Sequence, residues 1–199
     1  MLLDHGVDVE HFRSRAERAE PADLSPIPHP RVGFFGALED RPGYDFTILE
    51  EVAGRMPDVQ LVLIGKVEMD LGPLAALPNV HVLGWRPYLD IPAYAQFLDV
   101  GLLPISDNRW GQAANPIKLK EYLALGLPVV STRFPAAEPY EAVLRLADTR
   151  DQLIDHLAAT LGDGGPATPH ERRAAVEADT WEQRGRDVMA LCGDADGVQ

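Results

Sequence analysis

Residues 59–64 read VQLVLI, apolar at nearly every position, and the run stops at Gly65. A strand with one wet face alternates apolar with polar residues, so a strand apolar throughout is covered on both faces, as in a parallel sheet. Shorter runs of the same kind lie at 32–35, 80–83, 100–103, 128–131 and 143–146. Helical periods fall between them. Ile48, Leu49, Val52, Ala53 and Met56 put one apolar stripe on a helix that must stop near Pro57. Asp90, with Pro92 just beyond, opens a short helix through Phe97. Residues 116–125 form another, which Gly126 and Pro128 close after about 15 Å. Strands alternating with helices in this way predict an α/β chain with a doubly wound, Rossmann-like parallel sheet.

Three Thr-x-x-Glu/Gln signatures follow the sheet: Thr149 with Gln152, Thr168 with Glu171, and Thr180 with Gln183. Each opens a C-terminal helix. The 199 residues amount to one domain, with a lead-in segment at 1–30, a sheet core at 31–147, helices at 148–192 and a tail at 193–199.

With 18 basic and 31 acidic residues the chain carries a formal charge of −13, which argues against broad binding to nucleic acid or to an anionic membrane surface. An anionic ligand must therefore be held locally. Cys192 is the one cysteine, so no internal disulfide forms, and a reducing, cytoplasmic setting is expected. Residues 1–12 include Asp4, Asp8 and Glu10 and lack the apolar core of a signal peptide. No run approaches the roughly 20 apolar residues of a membrane-spanning helix. The six histidines lie singly, and no G-x-S-x-G elbow occurs, so neither a metal, a cofactor nor a nucleophile is expected. Asp194-Ala195-Asp196 matches a D-x-D string by coincidence, in a Gly/Asp-rich tail.

Open α/β sheets bind ligands at the carboxyl ends of their strands. The most informative loop there runs from Asn108 to Gly126, NRWGQAANPIKLKEYLALG. Asn115 is a good N-cap and Pro116 suits the first helical position, so the amides from Asn115 through Ile117 to Leu119 form a positive helix end facing the crevice. Phosphate suits that place, and Lys118 adds a point charge. Glu121, three residues on, can accept hydrogen bonds from a diol such as ribose. Residue types alone support a second reading equally well, in which Lys118 and Glu121 are an ordinary i,i+3 surface pair. Gly36, directly after the first run, permits a tight turn and close backbone approach, although neither a dinucleotide fingerprint nor a phosphate loop surrounds it. Trp85 and Tyr88, after the third run, either wall a flat base or pack as rim residues.

Three segments, VGFFGALED…YDFTILEEVAGRMPDVQLVLIGK, NVHVLGWRPYLDIPAYAQFLDVGLLP and NPIKLKEYLALGLPVVST, resemble the C-terminal, donor-binding half of retaining GT-B glycosyltransferases of the group 1, family 4 type. HGVDVEHF at 5–12 looks like the lead-in to that half, and TWEQRGRDVMAL like its last helix. The resemblance implies a nucleoside-diphosphate sugar as donor substrate, with the base near Arg86, the ribose on Glu121, and the diphosphate on Lys118 with the backbone from Asn115 to Leu119. It also implies an N-terminal acceptor-binding half, and transfer of a sugar to an acceptor across the cleft between the halves. One half is expected to bind the donor but not to transfer it unless a separate chain supplies the other half. Three positions depart from the family pattern. Ala113 stands where the first glutamate of E-x7-E belongs, and Ala37 and Pro42 replace the Arg and Lys of G-R-L-x-x-x-K-G, with Arg41 one position away. Two other readings are a GT-B-like sugar-nucleotide epimerase and a non-catalytic nucleotide-binding module.

Overall fold

The computed structural model describes residues 4–13, 18–40 and 42–193. A short helix α1 (Val9–Arg13) precedes β1 (Arg31–Phe35), α2 (Thr47–Arg55), β2 (Gln60–Ile64) and β3 (Val80–Gly84). Then come α3 (Ile91–Ala95), β4 (Val100–Leu103), α4 (Arg109–Gln112), α5 (Ile117–Leu125), β5 (Val129–Thr132) and β6 (Arg145–Ala147). Helices α6 (Arg150–Asp163), α7 (Pro169–Ala174) and α8 (Trp181–Gly193) are the last of the described elements. The strands form one parallel sheet in the order β3-β2-β1-β4-β5-β6, the doubly wound arrangement.

Side chains along each strand alternate between two cores. Leu61 and Leu63 of β2 point into one with Ile48, Leu49 and Val52 of α2 and Leu153 and Leu157 of α6; Val62 and Ile64 point into the other with α3 and α5. This double burial is why VQLVLI carries no polar alternation. All three threonine signatures cap as expected: Thr149 and Thr180 accept from Gln152 N and Gln183 N at 3.1 Å, and Thr168 forms a full capping box with Glu171.

Two expectations need correction. The sixth strand is Arg145–Ala147, not 143–146, because the Val143 amide donates to Tyr140 O at 2.8 Å and completes the turn after the 3-10 stretch Pro135–Tyr140. Asn115 does not cap α5. Pro116 takes the N-cap position with no side-chain cap, and Asn115 Nδ2 donates instead to Asp4 Oδ1 at 2.7 Å. A cap would need the side-chain oxygen as acceptor, and the charge-assisted bond to Asp4 holds the Asn115 amide by its nitrogen instead.

From Leu119 to Leu125 every residue of α5 is buried, Lys120 and Glu121 included. The helix lies against the sheet, with α1, α3 and α7 around it. Its carboxyl end is capped from α7, where Arg172 Nη1 donates to Gly126 O and Arg173 Nη2 to Leu125 O, both at 3.1 Å. Lys120, 3% exposed at its side chain, donates to Asp4 Oδ2 at 2.5 Å and to His5 O at 2.8 Å, with Asp179 Oδ2 at 3.4 Å. Asp179 also takes the Val7 amide through its carbonyl, so one ammonium joins the lead-in segment to the stretch before α8. Lys120→Met keeps the length of the stem and takes the buried cation from two carboxylates, of which Asp4 keeps the Asn115 donor and Asp179 keeps Arg184 and the Tyr140 hydroxyl. It is expected to destabilise the fold by about 2 to 3 kcal/mol, below the full cost for a buried pair because Asp4 is partly solvated. Urea unfolding measures the loss, and a change under about 0.5 kcal/mol would remove the network from the account.

Candidate functional site

Strand order reverses between β1 and β4, and the two strands part early. Their pairing consists of Val32 with Val100 and Gly33 with Gly101. Beyond it the Phe35 amide turns to Tyr122 Oη of α5, at 3.3 Å. The gap at the carboxyl edge is the crevice such sheets offer to ligands, and α5 begins at its rim. A cleft of about 430 Å³ opens there, lined by Gly36, Gly65, Lys66, Trp85, Tyr88, Lys118 and Glu121 among others.

Lys118 stands in the first turn of α5, half-buried. Its ammonium lies 5.7 Å from the Phe34 ring centroid and 5.5 Å from that of Tyr44, and Nζ donates to Tyr44 Oη at a long 3.4 Å. No carboxylate pairs with it among the described residues. The amides of Ile117 and Lys118 open the helix, where no intrahelical acceptor exists. The Leu119 amide does not share this freedom, since it donates to Pro116 O at 3.1 Å.

Gly36 lets this lysine sit where it does. A Cβ on Gly36 would come within 2.0 Å of Lys118 Cε, and the residue's φ of +144° is one that side chains rarely adopt. Gly65 follows β2 at φ +155°, and a Cβ there would meet Gly36 O at 1.8 Å. The two glycines thus bring the β1 and β2 loops together under Lys118.

Glu121 is 3% exposed, and its Oε1 accepts from Tyr88 Oη at 3.0 Å. Burial raises its carboxyl above the ordinary glutamate range, against the pull of the Tyr88 hydrogen bond and the Lys118 charge. Burial and the nearby Glu121 charge also push the Tyr88 phenol far up, so it stays a donor. The i,i+3 surface pair is therefore not what the helix makes. Lys118 faces Tyr44, Glu121 faces Tyr88, and one of the two is buried.

Arg86 lines the cleft with its guanidinium committed. Nε donates to Tyr94 Oη at 2.7 Å, Nη1 to Trp85 O at 2.8 Å, and Nη2 to Asp23. Trp85 beside it is 64% exposed. Arg41 lies outside the described residues, as does Asp194-Ala195-Asp196. Sequence reading missed Tyr44 and the cap of α4, where Asn108 accepts from the Trp110 and Gly111 amides at 2.8 and 3.0 Å and donates to Pro42 O at 2.8 Å. Asn108 two residues before Trp110 is a legible N-cap signal; Tyr44 had none.

A larger cleft of about 750 Å³ adjoins the first across the Lys118–Tyr44 contact, lined by Tyr44, Asn108, Gln112, Arg133 and Arg150 among others. Its arginines are neutralised, Arg133 by Glu141 and Asp148, and Arg150 by Asp45 and Glu51. The smaller cleft, with its unpaired ammonium and helix start, suits an anion better.

The family of glycosyl transferases group 1 matches residues 29–163, well over half of the sequence. The chain belongs to that family. A Bacillus subtilis (strain 168) protein provisionally named teichuronic acid biosynthesis glycosyltransferase TuaH is 30% identical to this group 1 chain over 203 residues, covering 96% of the chain and 50% of TuaH. Sucrose-phosphate synthase from Thermosynechococcus elongatus superposes with a TM-score of 0.77 at 17% identity, over 100% of this chain and 53% of that one. Anabaena HepE, solved with UDP and glucose, gives 0.68 at 17% identity, over 97% of this chain and 55% of HepE. The group 1 chain thus spans about half the length of the relatives it matches. Its sheet and flanking helices are those of a GT-B glycosyltransferase half. No helix of the described residues is long and apolar enough to cross a membrane.

The glycine contacts give a ranked prediction. Gly65→Ala pushes a Cβ into backbone, whereas Gly36→Ala displaces the flexible end of Lys118, so Gly65→Ala loses more stability. Both carry the positive-φ strain of about 1 kcal/mol. Chemical denaturation of the two variants checks the order, and equal losses would contradict the packing argument.

Proposed function

We propose that this chain is the donor-binding half of a retaining glycosyltransferase and that the cleft at the start of α5 grips a nucleoside-diphosphate sugar. The observation that carries the reading is the joint placement of unpaired Lys118 and buried Glu121 in one cleft at the switch point of the sheet. Lys118 and the open amides of Ile117 and Lys118 take the diphosphate, where a positive helix end and a cation reinforce each other. Gly36 gives the diphosphate room to approach the β1 loop. Glu121 takes the ribose, and Trp85, Arg86 and Tyr88 line the base. Arg86 serves through its backbone and its shape, because its guanidinium is spoken for.

In a front-side displacement the bond from the sugar to the diphosphate breaks, and the acceptor oxygen bonds on the same face. The leaving diphosphate takes the acceptor proton. The protein's share is to stabilise charge building on the diphosphate and to exclude water. Lys118 and the helix start supply the first. A second half, facing this cleft and holding the acceptor, supplies the rest. The likeness to HepE makes UDP the first nucleotide to try, and the single cysteine fits work in the reducing cytoplasm. Ala113, Ala37 and Pro42 favour one further reading, a nucleotide-binding module without turnover; nucleotide binding with no transfer by the longer protein would identify it.

Lys118→Ala should weaken nucleoside-diphosphate binding by about 1 to 3 kcal/mol and leave nucleoside binding unchanged, since a charge-assisted bond to phosphate is what is lost. Calorimetry with UDP, GDP and their nucleosides tests this, and equal losses for both ligand types would reject the phosphate role. The 199-residue chain alone, given nucleotide sugars and a panel of sugar and lipid acceptors, is expected to form no glycoside, because its site faces solvent and nothing positions the acceptor. Acceptor-dependent product in mass spectra would overturn that expectation.

A further inference from the structure

On the reading of Glu121 as the ribose carboxylate, we propose that Tyr88 is its positioning residue, aiming the carboxylate through a hydrogen bond to Oε1 and leaving Oε2 for the nucleoside. Burying an ionised carboxylate is unfavourable unless donors meet it. Among the described residues the donor is the Tyr88 hydroxyl, at 3.0 Å, and no hydrogen bond reaches Oε2. The carboxylate therefore has one oxygen anchored and one available.

Tyr88 is itself held from the lead-in segment. The His11 ring stacks on it at 4.9 Å and 25°, and the Phe12 ring meets it edge-on at 5.8 Å and 76°. His11 Nε2 lies 3.1 Å from Tyr88 O. Phe12 is fully buried, so the wedge under Tyr88 is fixed. Residues from α1 thereby reach the ribose carboxylate through one phenol, although none of them lines the cleft. Tyr88 does line it.

The charged and titratable groups around this pair are Lys118 and the buried Tyr122 on the same helix, Lys66 after β2, Arg86 beside Tyr88, and Asp8 and His11 from the lead-in segment. All of them stay in place in Tyr88→Phe, which keeps the ring and removes the hydroxyl. A difference between the wild type and this variant therefore isolates the bond to Glu121. Burial holds the Glu121 carboxyl above its ordinary range, and the Tyr88 donor works against that rise. Ribose recognition needs the ionised form, so it is present at high pH and is lost as pH falls through the raised value. Without the Tyr88 donor the carboxyl rises further, and the loss begins at a higher pH.

The test titrates the full chain with UDP and with its 2′-deoxy and 3′-deoxy analogues, and with GDP and its analogues, from mildly acidic to neutral pH. Inorganic pyrophosphate is the control for the phosphate end. The wild type is expected to prefer the ribonucleotide over at least one deoxy analogue by about tenfold at neutral pH, the effect of stranding a buried acceptor. Tyr88→Phe should cut that preference to about threefold or less, shift its loss to higher pH, and leave pyrophosphate affinity within about twofold. His11→Ala, which loosens the ring and keeps the hydroxyl, should give an intermediate preference.

Each other outcome is decisive. A wild type with no ribose preference overturns the Glu121 reading and this inference with it. A wild-type preference that survives unchanged in Tyr88→Phe, with the same pH profile, overturns the inference alone. Equal losses for pyrophosphate and ribonucleotide in Tyr88→Phe would mean that the phenol supports the whole cleft, and would likewise overturn it.

Discussion

Helix α5 is buried from Leu119 onward, and a helix that carries Lys120 and Glu121 into the interior has to bring partners for both. The lead-in segment answers Lys120 with Asp4, the stretch before α8 answers it with Asp179, and the loop after β3 answers Glu121 with Tyr88. Arg172 and Arg173 of α7 occupy the carboxyl end. Four parts of the chain distant in sequence are thus fixed by the polar needs of nine residues, Ile117–Leu125. What remains unsatisfied is the amino end of the same helix, and that end opens on the crevice.

The site is a consequence of that arrangement. Unmet amides and an ammonium resting on the Phe34 and Tyr44 rings make one positive spot in a chain of charge −13. Long-range attraction for a nucleotide is absent; recognition has to come from short-range geometry. Gly36 and Gly65 supply the closeness, and the larger cleft next door, with its arginines neutralised, does not compete for phosphate.

Much of this was legible in the chain. The apolar runs and their glycine or proline stops name the strands, because double burial leaves its mark on every position of VQLVLI except Gln60. Thr149, Thr168 and Thr180 announce their helices, because capping is local. Lys118 and Glu121 were legible with two readings, a phosphate-and-ribose site and a surface pair, since spacing along a helix does not say which face is covered. Asn115 illustrates the limit: its cap role is sound by local rules and loses to Asp4, 111 positions away. Tyr44 and the Tyr88 hydroxyl depend on the same kind of distant meeting, and so escaped notice.

The central claim is that the helix start and Glu121 hold a nucleoside diphosphate, and the most direct measurement is a crystal structure of this chain with UDP or GDP bound. The account predicts diphosphate density within hydrogen-bond distance of Lys118 Nζ and the Ile117 and Lys118 amides, with a ribose hydroxyl on Glu121 Oε2 and the base along Trp85. Nucleotide density in the larger cleft between Arg133 and Arg150, with the start of α5 solvated, would contradict it.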